Sequence, residues 1–182
     1  IYKVLTNKDI GEFDRDDVIL IENPTRSEME TSLGKMLEEA KDKDFVFIYF
    51  AGHGKLDTLG KLCLATRDAR ADKFVTNSIH LDYLQSVFNQ CDCKSITLII
   101  DSCYSGSAGE SFRGNILTES FEQISGHGKV IISASQTLEK SRESDAVGHG
   151  IFTHYILKGL SEGEADGDND GVISVNELYK YA

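Results

Sequence analysis

F-V-F-I-Y-F at residues 45–50 runs into A-G-H-G at 51–54, and S-I-T-L-I-I at 95–100 runs into D-S-C-Y-S-G at 101–106. Apolar runs without alternation predict strands that are covered on both faces. Each strand is therefore predicted to end at a glycine-containing turn, the first carrying His53 and the second Cys103. Sites in parallel α/β sheets form at the carboxyl ends of strands, so this pattern favours one shared site.

The rest of the chain alternates between strand-like and helix-like periods. Residues 17–22 and 129–133 are predicted strands. Thr25 opens a capping-box pattern, T-R-S-E, in front of a predicted helix at about 26–41. Further helices are predicted at about 80–91, 116–125 and 151–160. This alternation predicts an α/β sandwich with a largely parallel sheet.

Composition restricts the class of partner. The 182 residues include 19 Lys plus Arg and 30 Asp plus Glu, which gives a formal net charge of −11. Nucleic acids and anionic membranes are disfavoured because phosphate binding needs clustered cations. Metal ions and substrates rich in Lys or Arg suit this surface. No apolar run reaches the ~20 residues that a membrane span requires.

The cysteines argue against a disulfide framework. The sequence has four cysteines, Cys63, Cys91, Cys93 and Cys103, and no two of them form a C-x-x-C motif. Four cysteines are few for a chain of this length. A reducing, cytoplasmic compartment is the expectation.

His53 and Cys103 have the residue types of a nucleophilic site. A catalytic cysteine attacks as the thiolate and needs a nearby base. The glycine after the histidine, Gly54, leaves a backbone N–H unobstructed for stabilising an oxyanion. The two reactive residues are 103 − 53 = 50 positions apart.

Three motifs together resemble the caspase-fold cysteine peptidases, in particular the metacaspase and bacterial caspase-like branch. They are Y-F-A-G-H-G at 49–54, I-I-D-S-C-Y-S-G at 99–106 and G-H-G-I-F-T-H-Y-I-L-K-G-L at 148–160. The His-to-Cys separation is also typical of caspases. The resemblance covers about 17–182 and implies a caspase-like three-layer sandwich with a mostly parallel central sheet. It implies a single peptidase domain over 1–182, with a large-subunit-like part at about 1–113 and a small-subunit-like part at 126–182.

The resemblance also implies roles. Cys103 would be the nucleophile, His53 the acid and base, and the backbone N–H groups of Gly54 and Cys103 the oxyanion hole. The residue two positions before the nucleophile lines the specificity pocket in this family, and here it is Asp101. A carboxylate there selects Arg or Lys through a charge-assisted hydrogen bond. Protein or peptide substrates with basic residues are therefore expected.

Two departures from the family pattern are present. A first strand and part of its helix precede the present material in the family, so the N-terminal strand is expected to be missing and the chain to belong to a longer polypeptide. That stretch carries a further acidic pocket residue in metacaspases. Ala51 stands where metacaspases often have serine.

The remaining cysteines and histidines are interpreted as structural. Cys63 is expected to pack in the core on a strand or hairpin, and Cys91 and Cys93 to follow a helix without a catalytic role. His80 is expected at the exposed start of a helix and His154 within a helix. His127 and His149 are interpreted as structural residues.

Residues 166–177, D-G-D-N-D-G-V-I-S-V-N-E, match an EF-hand loop position by position. The ligands for Ca²⁺, with Mg²⁺ as an alternative, would be Asp166, Asp168, Asp170, Val172 and Glu177. Metacaspases are often activated by calcium, but at another site, so that property does not transfer to this loop. A solvated acidic turn is the competing interpretation.

The serine- and glycine-rich stretches 102–114 and 136–150 are predicted loops. The loop after the cysteine is often cut during activation of caspase-like peptidases. Arg113 is therefore a candidate self-cleavage site and Arg142 a second one. Exposed loop arginines without any such role are the alternative.

The sequence therefore predicts a cysteine endopeptidase that uses a Cys–His dyad and cleaves after Arg or Lys, with possible Ca²⁺ modulation and self-processing. One alternative is a caspase-like peptidase of different specificity. The other is a catalytically silent caspase-like module that binds partners or Ca²⁺. The acidic loop and a helix stand where caspase dimers pair, which favours a monomer.

Overall fold

A computed structural model describes residues 1–105, 128–133 and 150–182, with side chains throughout except at 103–105 and 133. The helices are α1 Tyr2–Leu5, α2 Arg26–Glu39, α3 Phe74–Asn77, α4 Leu81–Gln90, α5 Ile151–Ser161 and α6 Val175–Tyr181. The strands are β1 Phe45–Leu56, β2 Leu62–Leu64, β3 Ile79–His80, β4 Ser95–Ser105 and β5 Lys129–Ser133.

The five strands form one mostly parallel sheet in the order β3-β2-β1-β4-β5. β1 pairs with β4 in parallel, and β4 with β5 likewise. β2 is antiparallel to both of its neighbours, β1 and β3. This mixed α/β architecture confirms the predicted fold class.

The core of the sheet unit forms where α2 and α4 meet alternate positions of the central strands. Ile96, Leu98 and Ile100 of β4 belong to one apolar cluster with Leu33 of α2 and Leu84 of α4. Successive strand residues face opposite sides of a sheet, so every second residue from Ile96 to Ile100 enters this cluster. The predicted helices at about 26–41 and 80–91 are confirmed, as are the strand at 129–133 and the helix at 151–160.

The predicted strand at 17–22 is wrong. Arg15–Asp17 form a short 3₁₀ helix, and the apolar residues after it are largely exposed, with Ile19 at 53% and Leu20 at 61%. A β-branched run needs a neighbouring strand to satisfy its backbone, and no described residue pairs with it.

The predicted strand ends are also too early. β1 continues past residue 50 to Leu56, and β4 continues past residue 100 to Ser105. The apolar pattern stops where burial changes, but ladder hydrogen bonds join backbone groups and continue through polar residues and glycine. His53 and Cys103 therefore lie within strands and not in turns.

The chain divides into two compact units, Ile21–Thr137 and the combination of Ile1–Leu20 with Leu138–Ala182. The sheet belongs to the first. In the second, α5 and α6 approach closely at Gly159, where an added Cβ would lie 2.9 Å from the Tyr181 ring. Ile156 of α5 and Leu178 of α6 are both buried. The predicted large- and small-subunit-like parts stay predictions.

No described helix is long and apolar enough to cross a membrane. The predicted helix at 116–125 lies outside the described residues, and so do His127 and His149.

The predicted capping box of α2 is present. The Thr25 hydroxyl accepts from the Glu28 N–H at 3.3 Å, and the Glu28 carboxylate accepts from the Thr25 N–H at 2.7 Å. These two bonds satisfy backbone donors that an isolated helix end leaves unpaired.

Replacing this cap should measurably destabilise the protein. Thr25→Ala removes the hydroxyl acceptor and should lower the free energy of unfolding by about 1 kcal/mol. Urea denaturation followed by circular dichroism measures the change. Thr31→Ala, the same substitution at an exposed position inside α2, is the matched control and should be neutral or slightly stabilising. Equal destabilisation by the two variants would contradict the assigned cap.

Candidate active site

The parallel ladder between β1 and β4 positions the two predicted catalytic residues. His53 and Cys103 are direct Cα partners in that ladder. Ala51 and Asp101, two residues earlier on each strand, are partners as well. Neighbouring strands lie about 4.8 Å apart, so the backbones of the two residues are adjacent. The structure describes the backbone of Cys103 and not its side chain.

The His53 side chain is exposed, while its backbone is held from the other side of β1. Its carbonyl accepts a hydrogen bond from the Ala65 N–H at 2.8 Å, just after β2. The next residue, Gly54, is buried and pairs with Leu64 of β2 and Tyr104 of β4. The imidazole thus stands on a backbone anchored on both sides and remains accessible to a substrate.

Asp101 is half-buried on β4, and Tyr49 of β1 contacts it. The Tyr49 hydroxyl donates to the Asp101 carboxylate at 3.4 Å. This tyrosine was not among the predicted site residues. Counting alternate residues back from His53 through Ala51 would have placed Tyr49 on the same face of the sheet.

Ser102, between the predicted pocket and nucleophile positions, is 3% exposed. Its hydroxyl has no hydrogen-bond partner among the described residues. The sequence predicts Ser102 at the start of a loop, whereas the structure has it within β4.

Burial makes Cys63 and Cys91 poor nucleophiles. Burial raises the pKa of the Cys63 thiol to about 11, with the charge of Asp57 adding to the effect. Burial also raises the pKa of Cys91, and the Cys91 and Cys93 thiols donate to the backbone carbonyls of Leu37 and Asp44. Thiols with raised pKa values hold little reactive thiolate at neutral pH. The three cysteines are free, as expected, and Cys63 is buried on β2 as predicted for a hairpin.

The acidic loop before α6 is folded around its own carboxylates. Asp166 accepts from the N–H groups of Asp170 at 3.2 Å and Gly171 at 3.0 Å. Gly171 has φ +87°, a conformation that glycine adopts without steric cost. Oxygen atoms of Asp166, Asp168 and Glu177 lie within 4.8 Å of one another.

Glu177 takes part in the loop and in the helix that follows it. One oxygen accepts from the N–H groups of Gly167 and Asp168, and the other from Ser174, whose side chain caps α6. Hydrogen bonds from Ser174, then from Gly167 and Asp168, hold the pKa of Glu177 below its usual value. This cap was not predicted, although S-V-N-E at 174–177 is a capping-box pattern.

Asp170, a further predicted ligand, lies outside this group. Its carboxylate accepts from the Val172 N–H at 2.7 Å and is not in the close group of three. The group of three is a hard, all-oxygen donor set that fits Ca²⁺ or Mg²⁺.

Comparison with known proteins agrees with this architecture. The family model described as the caspase domain, peptidase C14, matches residues 1–180. No curated protein matches the chain significantly. Since the match spans almost every residue and the strands form the mixed sheet described above, the chain belongs to the caspase domain family of cysteine peptidases.

Proposed function

We propose that the chain is a cysteine endopeptidase in which Cys103 is the nucleophile and His53 the acid and base. The observation that carries this proposal is the direct pairing of the two residues across β1 and β4. Paired positions on adjacent strands share one face of the sheet, which is the arrangement that a nucleophile and its base require.

The reaction then proceeds in two stages. The Cys103 thiolate attacks the peptide carbonyl carbon, and the N–H groups of Gly54 and Cys103 stabilise the oxyanion. The C–N bond breaks as His53 protonates the leaving amine, which leaves a thioester on Cys103. A water molecule, deprotonated by His53, attacks the thioester and releases the acid and the thiol.

Asp101 is proposed to select Arg or Lys before the cleaved bond. Its carboxylate is half-buried and lies two residues from Cys103 on the same strand. A partly desolvated carboxylate binds a guanidinium or ammonium group strongly and repels an acidic side chain. The net charge of −11 also attracts basic substrates towards the protein. We therefore propose that the specificity is like that of metacaspases. The proposed location of the protein is the reducing cytoplasm.

Peptide hydrolysis tests the enzyme and its specificity together. Matched fluorogenic peptides ending in Arg or Lys should be cleaved, and a peptide ending in Asp should not. Cys103→Ala and His53→Ala should each reduce the rate by roughly 10³-fold or more. Asp101→Asn, which keeps a hydrogen-bond acceptor for Tyr49, should lower kcat/KM on the Arg peptide by at least about 30-fold.

The outcomes separate the alternatives. Cleavage after Asp alone would retain the peptidase and reject the assigned role of Asp101. The absence of any cleavage, in protein whose fold is verified by circular dichroism, would reject the peptidase and favour a caspase-like interaction module.

A second proposal concerns the acidic loop. The loop would hold Ca²⁺ through the side chains of Asp166, Asp168, Asp170 and Glu177 and the backbone carbonyl of Val172. The bound ion would stiffen the connection between α5 and α6. The positive φ of Gly171 and the convergence of three carboxylates support it. Bound Ca²⁺ would modulate the peptidase without taking part in its chemistry.

Calorimetric titration with Ca²⁺ tests the loop. Glu177→Gln retains the capping box, since Gln also serves at that position, but removes a charged ligand. This variant and Asp166→Ala should each weaken binding at least about tenfold. Glu162→Gln, an exposed carboxylate at the end of α5, is the control and should bind like the unaltered protein. Unchanged affinity in both loop variants would place Ca²⁺ elsewhere.

Self-processing is the third proposal. Arg113 and Arg142 lie outside the described residues, and the support for either as a cleavage site is the proposed basic specificity together with the predicted loops.

Intact mass spectrometry tests self-processing. The active protein should yield fragments 1–113 and 114–182, whereas Cys103→Ala should remain full length. Arg113→Gln should abolish that pair of fragments and leave peptide hydrolysis measurable. Full-length masses for the active protein would exclude self-cleavage, and fragments that end at Arg142 would move the site.

A further inference from the structure

Three metal-ligating side chains meet at the β2–β3 side of the sheet, away from the proposed catalytic pair. They are Asp57, directly after β1, Cys63 on β2 and His80 on β3. One ligand atom from each lies within 4.8 Å of the other two. None of these residues has a role in the proposed peptidase reaction.

The strand register explains why the three side chains meet. Cys63 and His80 are direct Cα partners in the antiparallel β2–β3 ladder, and Cys63 is also the partner of Lys55 in β1. Asp57 follows Lys55 by two residues, so it shares the sheet face of Cys63. The paired strands β2 and β3 and the residue after β1 therefore bring these side chains together.

Cys63 is buried in a polar setting. Its side chain is fully buried, yet the apolar cluster beside α2 and α4 contains its strand neighbours Leu62 and Leu64 and not Cys63. A buried thiol surrounded by a carboxylate and an imidazole is not explained by apolar packing.

The His80 imidazole lies against the Cys63 thiol. Its Nε2 donates to the Val75 carbonyl at 2.5 Å. A backbone carbonyl on the second ring nitrogen is the usual partner of a metal-bound histidine.

The Cys63 Sγ atom lies 3.6 Å from His80 Nδ1 and 3.9 Å from His80 Nε2, so the sulfur stands beside the imidazole ring. Sulfur and nitrogen bound tetrahedrally to one zinc ion also lie about 3.6 Å apart. Zinc binding at this separation requires the imidazole to turn until Nδ1 points at the shared ion.

Asp57 supplies an oriented oxygen donor. One carboxylate oxygen accepts from the N–H groups of Leu59 and Lys61, both at 2.8 Å, within the β1–β2 turn. These two bonds orient the carboxylate through Oδ1, and the second oxygen, Oδ2, takes no part in them. The neighbouring Lys61 ammonium pairs with Asp82, which keeps that cation engaged elsewhere.

We propose that Asp57, Cys63 and His80 form a zinc-binding site with three protein ligands and a fourth position for water. The mixed sulfur, nitrogen and oxygen donor set favours a borderline-soft cation over Ca²⁺ or Mg²⁺. On binding, Zn²⁺ replaces the thiol proton of Cys63, which passes to solvent. The bound ion links β1, β2 and β3 at the end of the strand that carries His53.

Cobalt substitution tests this site in the full chain. The experiment uses a Cys103→Ala background so that the proposed catalytic pair provides no thiolate. Excess Ca²⁺ is added to occupy the acidic loop, which contains no sulfur. One equivalent of Co²⁺ should produce thiolate-to-metal charge-transfer absorption and the visible bands of a tetrahedral ion, and Zn²⁺ should abolish both.

The variants assign the ligands. Cys63→Ser should remove the charge-transfer band, and Asp57→Asn and His80→Gln should each weaken Co²⁺ binding at least about tenfold. His80 and Asp57 are only partly buried, so these two variants keep the test informative if Cys63→Ser fails to fold. Cys93→Ser is the matched control at another buried cysteine and should retain the full spectrum.

Two results would overturn the proposal. The first is a folded protein that gives no charge-transfer band with Co²⁺. The second is a band that survives Asp57→Asn and His80→Gln but disappears in Cys93→Ser, which would assign the thiolate to the other cysteines.

Discussion

The structure depends on the parallel backbone ladder that joins β1 to β4 without interruption from Phe45 and Ser95 to Lys55 and Ser105. Its hydrogen bonds involve only backbone atoms, so the pairing continues when the side chains change from apolar to polar. The first half of the ladder is the centre of the core, and the second half holds His53 beside Cys103. The backbones of His53 and Cys103 are therefore positioned by the central strands of the sheet.

Alternation along β4 decides which side chains meet the helices α2 and α4 and which meet Tyr49. Ile96, Leu98 and Ile100 enter the apolar cluster with α2 and α4. Asp101 falls on the opposite parity, where the Tyr49 hydroxyl reaches its carboxylate. Ile99, on the same face as Asp101, is also fully buried, so both faces of β4 are covered and Asp101 is half-buried where this coverage ends.

The same register principle brings together the Asp57, Cys63 and His80 group. Contacts between residues close in sequence form from local structure, whereas contacts between distant residues need the pairing of strands. The Ser174–Glu177 cap and the acidic loop are closed by residues within twelve positions of one another. Cys63 and His80 are seventeen positions apart and meet only because β2 pairs with β3.

Much of this protein could be predicted from its sequence. Local signals were sufficient for α2 with its Thr25 cap, for α4, α5 and β5, for the α/β class and for the loop at Asp166, because periodicity, capping and turn chemistry act over a few residues. The apolar run at 17–22 gave a wrong strand prediction, because a strand forms only where another strand pairs with it and a local pattern does not show that partner. The extension of β1 through His53, the Tyr49 contact with Asp101 and the polar surroundings of Cys63 were decided by tertiary structure alone. Each depends on the register between strands distant in sequence, which the ladder sets and no local pattern encodes.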